Sequence, residues 1–145
     1  MSLETGRYFI FNRDYAVGRR RAEDLSLLPK HIVLTPREQE TTWIFERTGD
    51  RENEYTITSN GSPIAHIDGL VVALLTEMFS ATKWIVERVP QHGENAYIIL
   101  NPEREQGWIA PEDFDDQVTV GPLIATRSYS PHYLSNSVFE IVKIE

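Results

Sequence analysis

The chain has 145 residues, no cysteine and a formal net charge of −8, with 41% apolar and 25% charged residues. That composition is ordinary for one globular domain with a true hydrophobic core and unlike that of a disordered chain. The absent thiols exclude disulfide staples, thiolate nucleophiles and thiolate metal sites, and the acidic balance opposes phosphate backbones and anionic membranes, so neither nucleic acid nor membrane is an expected partner.

Residues 1–6 lack the basic start and apolar stretch of a signal peptide, which sets the expectation of a soluble, cytoplasmic protein, acting as a monomer. Tyr8-Phe9-Ile10-Phe11 opens the first β-strand, expected at residues 7–12 and ended by Asn12-Arg13-Asp14. Strands at 16–20 and 31–35 follow, and Trp43-Ile44-Phe45-Glu46 marks a fourth at 42–47. The pattern then restarts with Tyr55-Thr56-Ile57-Thr58 at 54–58, ended by Ser59-Asn60-Gly61. Strands at 63–67, 70–75 and 83–88 complete this set, the last carrying Trp84-Ile85-Val86-Glu87. Asn-Gly is the strongest short hairpin signal, because both positions tolerate positive φ. The run at 70–75 is the longest apolar stretch and is far too short to cross a bilayer. A third set starts with Tyr97-Ile98-Ile99-Leu100 at 96–100, turns at Asn101-Pro102-Glu103, and continues at 107–110, 117–120 and 138–144, where Phe139-Glu140-Ile141-Val142 lies.

From opening tyrosine to closing aromatic the three sets span 35, 29 and 42 residues. Helical arrays use similar periods, but they need amphipathic helices, and this chain shows β alternation instead. Three four-stranded units, each beginning and ending on a large aromatic, predict an all-β fold of the β-trefoil type with pseudo-threefold symmetry. The expected repeats are about 7–51, 52–93 and 94–145 within a single domain, 1–145. Tyr8, Trp43, Tyr55, Trp84, Tyr97 and Phe139 are the expected buried anchors.

The units differ in their loops. Asp68-Gly69 joins the second and third strands of the second unit, whereas residues 21–30 make the same join in the first. The link before the closing strand is expected to be short in the second unit and to span residues 125–136 in the third. Loops longer than closure requires are where function is sought.

Catalytic and metal chemistry find little support. His31, His66, His92 and His132 never fall at short metal-ligand spacing, and His31 and His66, inside strand patterns, read as hydrogen-bonded structural residues. Glu112-Asp113-Phe114-Asp115-Asp116 lacks EF-hand spacing and reads as a solvated acidic turn. Arg19-Arg20-Arg21 reads as a solvated loop face. No phosphate loop, nucleophile elbow or paired catalytic motif is present, so no enzyme activity, metal or cofactor is expected. Asn60-Gly61-Ser62 has the form of a glycosylation sequon but reads as a hairpin turn. The Gln-x-Trp signature of ricin-type lectins is missing, since Thr41, Thr82 and Ser137 stand where glutamine is required.

Gly18-Arg19-Arg20-Arg21-Ala22-Glu23-Asp24-Leu25-Ser26-Leu27-Leu28-Pro29-Lys30, taken with Trp-Ile-Phe-Glu and Trp-Ile-Val-Glu, resembles the fungal fruiting-body serine-protease inhibitors of the cospin and cnispin type, which are mycocypin-like. Residues 2–8 and Ala65-His66-Ile67-Asp68-Gly69 share in the likeness, which therefore covers most of the chain. The resemblance implies a β-trefoil without disulfides that binds serine proteases, chiefly trypsin-like ones, through one exposed loop, with a role in defence or in regulating endogenous proteolysis.

Physical reading of that loop agrees. A rigid, substrate-like segment loses little entropy on docking and fills the specificity pocket with one central side chain. Pro29 pushes Leu28 toward extended geometry, and Asp24 and Ser26 are suited to bonding nearby backbone amides. The candidate protease-binding residues are Asp24, Leu25, Ser26 and Leu27. At the tip, between Asp24 and Ser26, a trypsin inhibitor requires a basic residue; Leu25 favours an apolar, chymotrypsin-like pocket instead. A second candidate loop offers Thr126, Arg127 and Ser128, where an arginine between small residues suits a trypsin-like pocket. Leu25 and Arg127 thus stand as competing reactive residues, and a carbohydrate-binding, lectin-like module is the rival function.

Overall fold

The computed structural model describes residues 3–20, 22–128 and 130–144. Arg21, the last of the three arginines, lies outside the described residues, as do residues 1, 2, 129 and 145.

The apolar segments form strands, some with alternating burial, such as Trp43–Arg47, and some buried throughout, such as Ala96–Leu100. The described residues form twelve: β1 Gly6–Asn12, β2 Tyr15–Arg19, β3 Lys30–Pro36, β4 Trp43–Arg47, β5 Glu54–Ser59, β6 Ser62–Ile67, β7 Leu70–Ala73, β8 Trp84–Arg88, β9 Ala96–Leu100, β10 Gly107–Ile109, β11 Thr119–Gly121 and β12 Phe139–Lys143. Each expected strand is present, with ends moved by no more than two residues, and the all-β expectation is met. Short 3₁₀ turns at Pro90–His92 and Ser135–Ser137 are the helical elements among the described residues.

Antiparallel pairing runs β1–β4–β5–β8–β9–β12 and returns to β1, closing a six-stranded barrel. Closure leaves those strands without a free edge. The other six strands form the hairpins β2–β3, β6–β7 and β10–β11. These meet through β3–β7, β7–β11 and an isolated bridge between Val33 and Gln117. The Gln117 side-chain amide donates to Ile32 O at 3.0 Å and Val71 O at 2.8 Å, tying two hairpins together where they converge. Asn60-Gly61, with φ of 51° and 80°, and Asp68-Gly69, with 51° and 77°, both occupy the left-handed region that a tight two-residue hairpin demands.

All six expected anchors are buried in one core cluster. Trp43 Nε1 donates to Val17 O at 2.9 Å and Trp84 Nε1 to Ile64 O at 3.2 Å, so two closing aromatics are pinned to β2 and β6. Phe139 has no such donor, and Trp108 on β10 fills the space beside it. Its ring lies 6.1 Å from Trp43, 5.5 Å from Trp84 and 5.9 Å from Phe139, edge-on to the last two, an arrangement aromatic pairs favour. Trp108 is thus the centre of the core.

Two local expectations need correction. The link between β7 and β8, residues 74–83, is not short: Leu74 bonds to Pro63 O at 2.8 Å and the chain leaves the sheet after it, so 74 and 75 are not strand. His31 is hydrogen-bonded through its ring, as expected, and the hydrogen bond at His66 is made by its backbone. His31 is exposed on β3 beside the Arg20 guanidinium at 3.2 Å, and His66 is half-buried, with its backbone N–H donating to Thr82 Oγ1. The basic cluster is not simply solvated, because Arg19 and Arg20 are both ion-paired.

Candidate functional site

The first candidate loop, residues 20–29, leaves the β2–β3 hairpin at the end of β2 and rejoins it at Lys30. Both of its ends are fastened by charge. Arg19 grips Glu23 with two bonds, at 2.6 and 3.1 Å, four residues on. Arg20 reaches across to Asp115, bonding its carboxylate at 3.2 Å and its carbonyl at 3.0 Å. The acidic run therefore anchors the loop base rather than standing free in solvent. These pairs also commit both arginines, which excludes either as a free basic tip.

At the tip, the Asp24 carboxylate accepts the Ser26 N–H at 3.0 Å and the Ser26 hydroxyl at 2.6 Å. This is the local turn chemistry by which aspartate and serine outcompete regular structure. The Ser26 hydroxyl in turn accepts the Leu28 N–H at 3.3 Å. Lys30, buried at the start of β3, donates to the Asp24 carboxylate and to the Asp24 carbonyl at 3.1 Å. The hydrogen bond from Lys30, then those from Ser26, hold the Asp24 carboxyl well below the usual carboxylate range.

Between these fixed residues Leu25 is fully exposed, and Leu27 and Leu28 are two-thirds exposed. Leucine is normally among the most buried residues. Three leucines held out of the core by a hydrogen-bonded turn form an exposed apolar surface.

The second candidate loop lies between β11 and β12. Thr126 N–H donates to His132 O at 3.0 Å, and His132 N–H returns a bond to Thr126 Oγ1 at 2.9 Å. Thr126 and Ser128 hydroxyls meet at 2.8 Å, and Ser128 Oγ donates to Ser130 O at 2.9 Å. Arg127 is exposed between them, with no hydrogen bond or ion pair among the described residues. Its flanking hydroxyls thus shape the loop and leave the guanidinium free. The two loops are built alike: the neighbours bond inward and the central side chain projects.

Two features escaped the sequence reading. Met78 and Phe79 stand exposed at the tip of the β7–β8 link. His92 supports the second loop from below, 5.1 Å from the His132 ring, with Nε2 accepting the Tyr133 N–H at 2.9 Å. Forty residues separate the two histidines, so no short-range spacing announces the pair.

Burial, and then the neighbouring His132, push the His92 pKa down, which keeps Nε2 free to accept. With the folded pKa depressed, the bond is fully present above the ordinary histidine pKa of about 6.5 and is lost as pH falls through the lower folded value. Protection of the Tyr133 amide from hydrogen exchange, corrected for intrinsic rate, should hold at pH 7 and fall as acidification passes the depressed His92 pKa. His92→Ala should lack that dependence.

Comparison with known proteins supplies a relationship. The model of the peptidase inhibitor I66 family matches residues 1–143. A serine protease inhibitor of Lentinula edodes is 47% identical over 146 residues, covering 99% of this chain and all of that one. Among solved structures, a proteinase inhibitor from Coprinopsis cinerea superposes with a TM-score of 0.87 at 36% identity, over 98% of this chain and 99% of that one. The BEL β-trefoil superposes with a TM-score of 0.63 at 14% identity, over 98% and 95% of the two chains. That last likeness concerns the fold alone.

Proposed function

The chain belongs to the peptidase inhibitor I66 family, and from that premise we propose that it inhibits serine proteases by presenting the β2–β3 loop as a rigid imitation of a substrate, Leu25 entering the specificity pocket. The observation that carries this is the pairing of a fully exposed Leu25 with neighbours, Asp24 and Ser26, whose side chains are spent on fixing the loop. A loop already fixed gives up little conformational entropy on binding, and an apolar side chain already in water has only favourable transfer ahead of it. Leu27 and Leu28 extend the apolar contact beyond the pocket. Proteases with apolar pockets are the expected targets, and catalysis by the chain itself has no part in this reading.

The scaffold is read as a β-trefoil of three equivalent four-stranded units. Support comes from the closed ring of six strands, the three converging hairpins and the matched bonds of Trp43 and Trp84. In such a frame the joining loops tolerate length and sequence change without altering the barrel, which frees the β2–β3 loop for recognition. Titrating trypsin, chymotrypsin, elastase, subtilisin and papain with the pure protein tests the assignment. Chymotrypsin should be inhibited stoichiometrically and papain not at all; inhibition of papain alone would end this reading.

Arg127 supports a second reading, because an unpaired exposed guanidinium matches the buried aspartate of a trypsin-like pocket. If Arg127 serves trypsin, Arg127→Ala should weaken trypsin inhibition by about 2 kcal/mol or more, as removing a pocket-filling side chain does. Its melting temperature should be that of the unaltered protein, since a solvated loop position contributes about 0.5 kcal/mol or less to folding. Arg127→Glu should be worse than alanine. Trypsin inhibition undiminished in both variants would remove the second loop.

A further inference from the structure

We propose that Lys30 is the positioning residue that makes the β2–β3 loop an inhibitor instead of a substrate, by tying together the residues on either side of the Leu25–Ser26 peptide bond. The inference rests on the reading that Leu25 occupies the specificity pocket.

Lysine at a strand start is ordinarily a surface residue, yet the Lys30 side chain is only 7% exposed. Burying an ammonium is costly unless its donors are satisfied. Here the acceptors all come from one short segment: the Asp24 carboxylate, the Asp24 carbonyl at 3.1 Å and the Ser26 hydroxyl at 3.4 Å. Backbone pairing of Lys30 with Ala73 on β7 holds the lysine in the sheet. The ammonium therefore transmits the rigidity of the paired hairpins to the tip of the loop, as a disulfide does in chains that have cysteine.

Its position relative to the scissile bond gives the arrangement a chemical consequence. The protease serine attacks the Leu25 carbonyl carbon while the protease histidine takes the hydroxyl proton. Collapse of the tetrahedral intermediate breaks the bond to Ser26 N and delivers that proton to the departing amine. From an ordinary substrate the amine diffuses away, and water hydrolyses the acyl-enzyme. In this loop Ser26 N and Oγ are bonded to Asp24, Asp24 is bonded to Lys30, and Lys30 also bonds Ser26. The amine stays beside the Leu25 carbonyl carbon. Effective concentrations of order 10⁵ M for well-oriented groups then favour its return, which re-forms the peptide bond and expels the protease serine with its proton restored.

The lock also has a defined acid limit. With the Asp24 carboxyl depressed, its contribution is complete above the ordinary carboxylate pKa of about 3.9 and is lost only as pH falls through the lower folded value. Of the other charged groups around the same hollow, Arg20 lies against His31 and Asp115, and Glu23 is paired with Arg19.

The test compares unaltered protein with Lys30→Met and Asp24→Ala, each incubated with chymotrypsin. Mass spectrometry follows cleavage between Leu25 and Ser26, residual protease activity is read over time, and NMR titration gives the Asp24 carboxyl pKa in the unaltered and Lys30→Met proteins. The unaltered protein should remain largely uncut and keep the protease inhibited. Both variants should be cut at least tenfold faster, with protease activity recovering, and the Asp24 pKa should rise toward its ordinary value in Lys30→Met. Asp24 is mostly exposed, so Asp24→Ala decides the matter if Lys30→Met fails to fold. Unaltered protein that inhibits, beside variants that resist cleavage equally well, would overturn the role of Lys30 and leave the loop assignment standing. Unaltered protein that does not inhibit chymotrypsin would overturn both.

Discussion

Leu25→Asp should weaken inhibition of chymotrypsin-like proteases by at least roughly 30-fold while leaving the melting temperature unchanged. Burying a leucine side chain in an apolar pocket is worth about 1.5–3 kcal/mol, and a central pocket-filling residue typically about 2 kcal/mol or more, which is roughly 30-fold in affinity. Aspartate forfeits that transfer and adds the cost of stripping water from a carboxylate. The fold should not register the change, because full exposure leaves nothing of the Leu25 side chain packed on the barrel, and surface substitutions usually stay within about 0.5 kcal/mol. Leu25→Arg makes the complementary case: it should lose chymotrypsin and gain trypsin, whose pocket carries the opposing charge. Inhibition constants for the two variants against both enzymes, with a thermal melt of each, check the whole expectation. An inhibition profile unmoved by either substitution would take this loop out of consideration.

The strands were legible because two signals agree along them. Apolar alternation or a short continuous apolar run marks the strands, and an aromatic marks the start and end of each set of four, from Tyr8 and Trp43 to Tyr97 and Phe139. The first candidate loop was legible for a related reason. Leu25 sits between Asp24 and Ser26, in a stretch that cannot be strand, so a leucine there has no core to join. What supports the loop was hidden. Lys30 reads as a surface lysine, and only the register with Ala73 reveals that its side chain turns under the turn formed by Asp24 and Ser26. Long-range pairing hid the rest as well. Arg20 with Asp115, and His92 with His132, are brought together by the packing of strands distant in sequence, which single-chain spacing does not encode. The β7–β8 link was misjudged because Leu74 and Leu75 prolong an apolar run, although pairing with β6 ends at Ala73.

Trp108 was likewise not singled out, and it should be the most costly residue of the core to truncate. It lies on β10, away from the repeated opening and closing aromatics, yet its ring touches Trp43, Trp84 and Phe139. Trp108→Ala should destabilise the protein by about 3–5 kcal/mol, the usual range for emptying a large aromatic site. Against a total of about 5–15 kcal/mol, that single change consumes a large share of the margin. Conservative replacements should separate the tryptophans by their indole nitrogens. Trp43 Nε1 is bonded to Val17 O at 2.9 Å, so Trp43→Phe loses both volume and a hydrogen bond. Trp108 Nε1 is buried with no partner among the described residues, and an unmet buried donor costs about 1–3 kcal/mol. Trp108→Phe removes that donor along with some volume, so the two changes offset. Urea unfolding should therefore rank the losses as Trp108→Ala largest, Trp43→Phe next and Trp108→Phe smallest. If Trp108→Phe cost as much as Trp43→Phe, the indole N–H at the centre of the barrel would have to be satisfied, by a buried water or by a shift of the surrounding carbonyls.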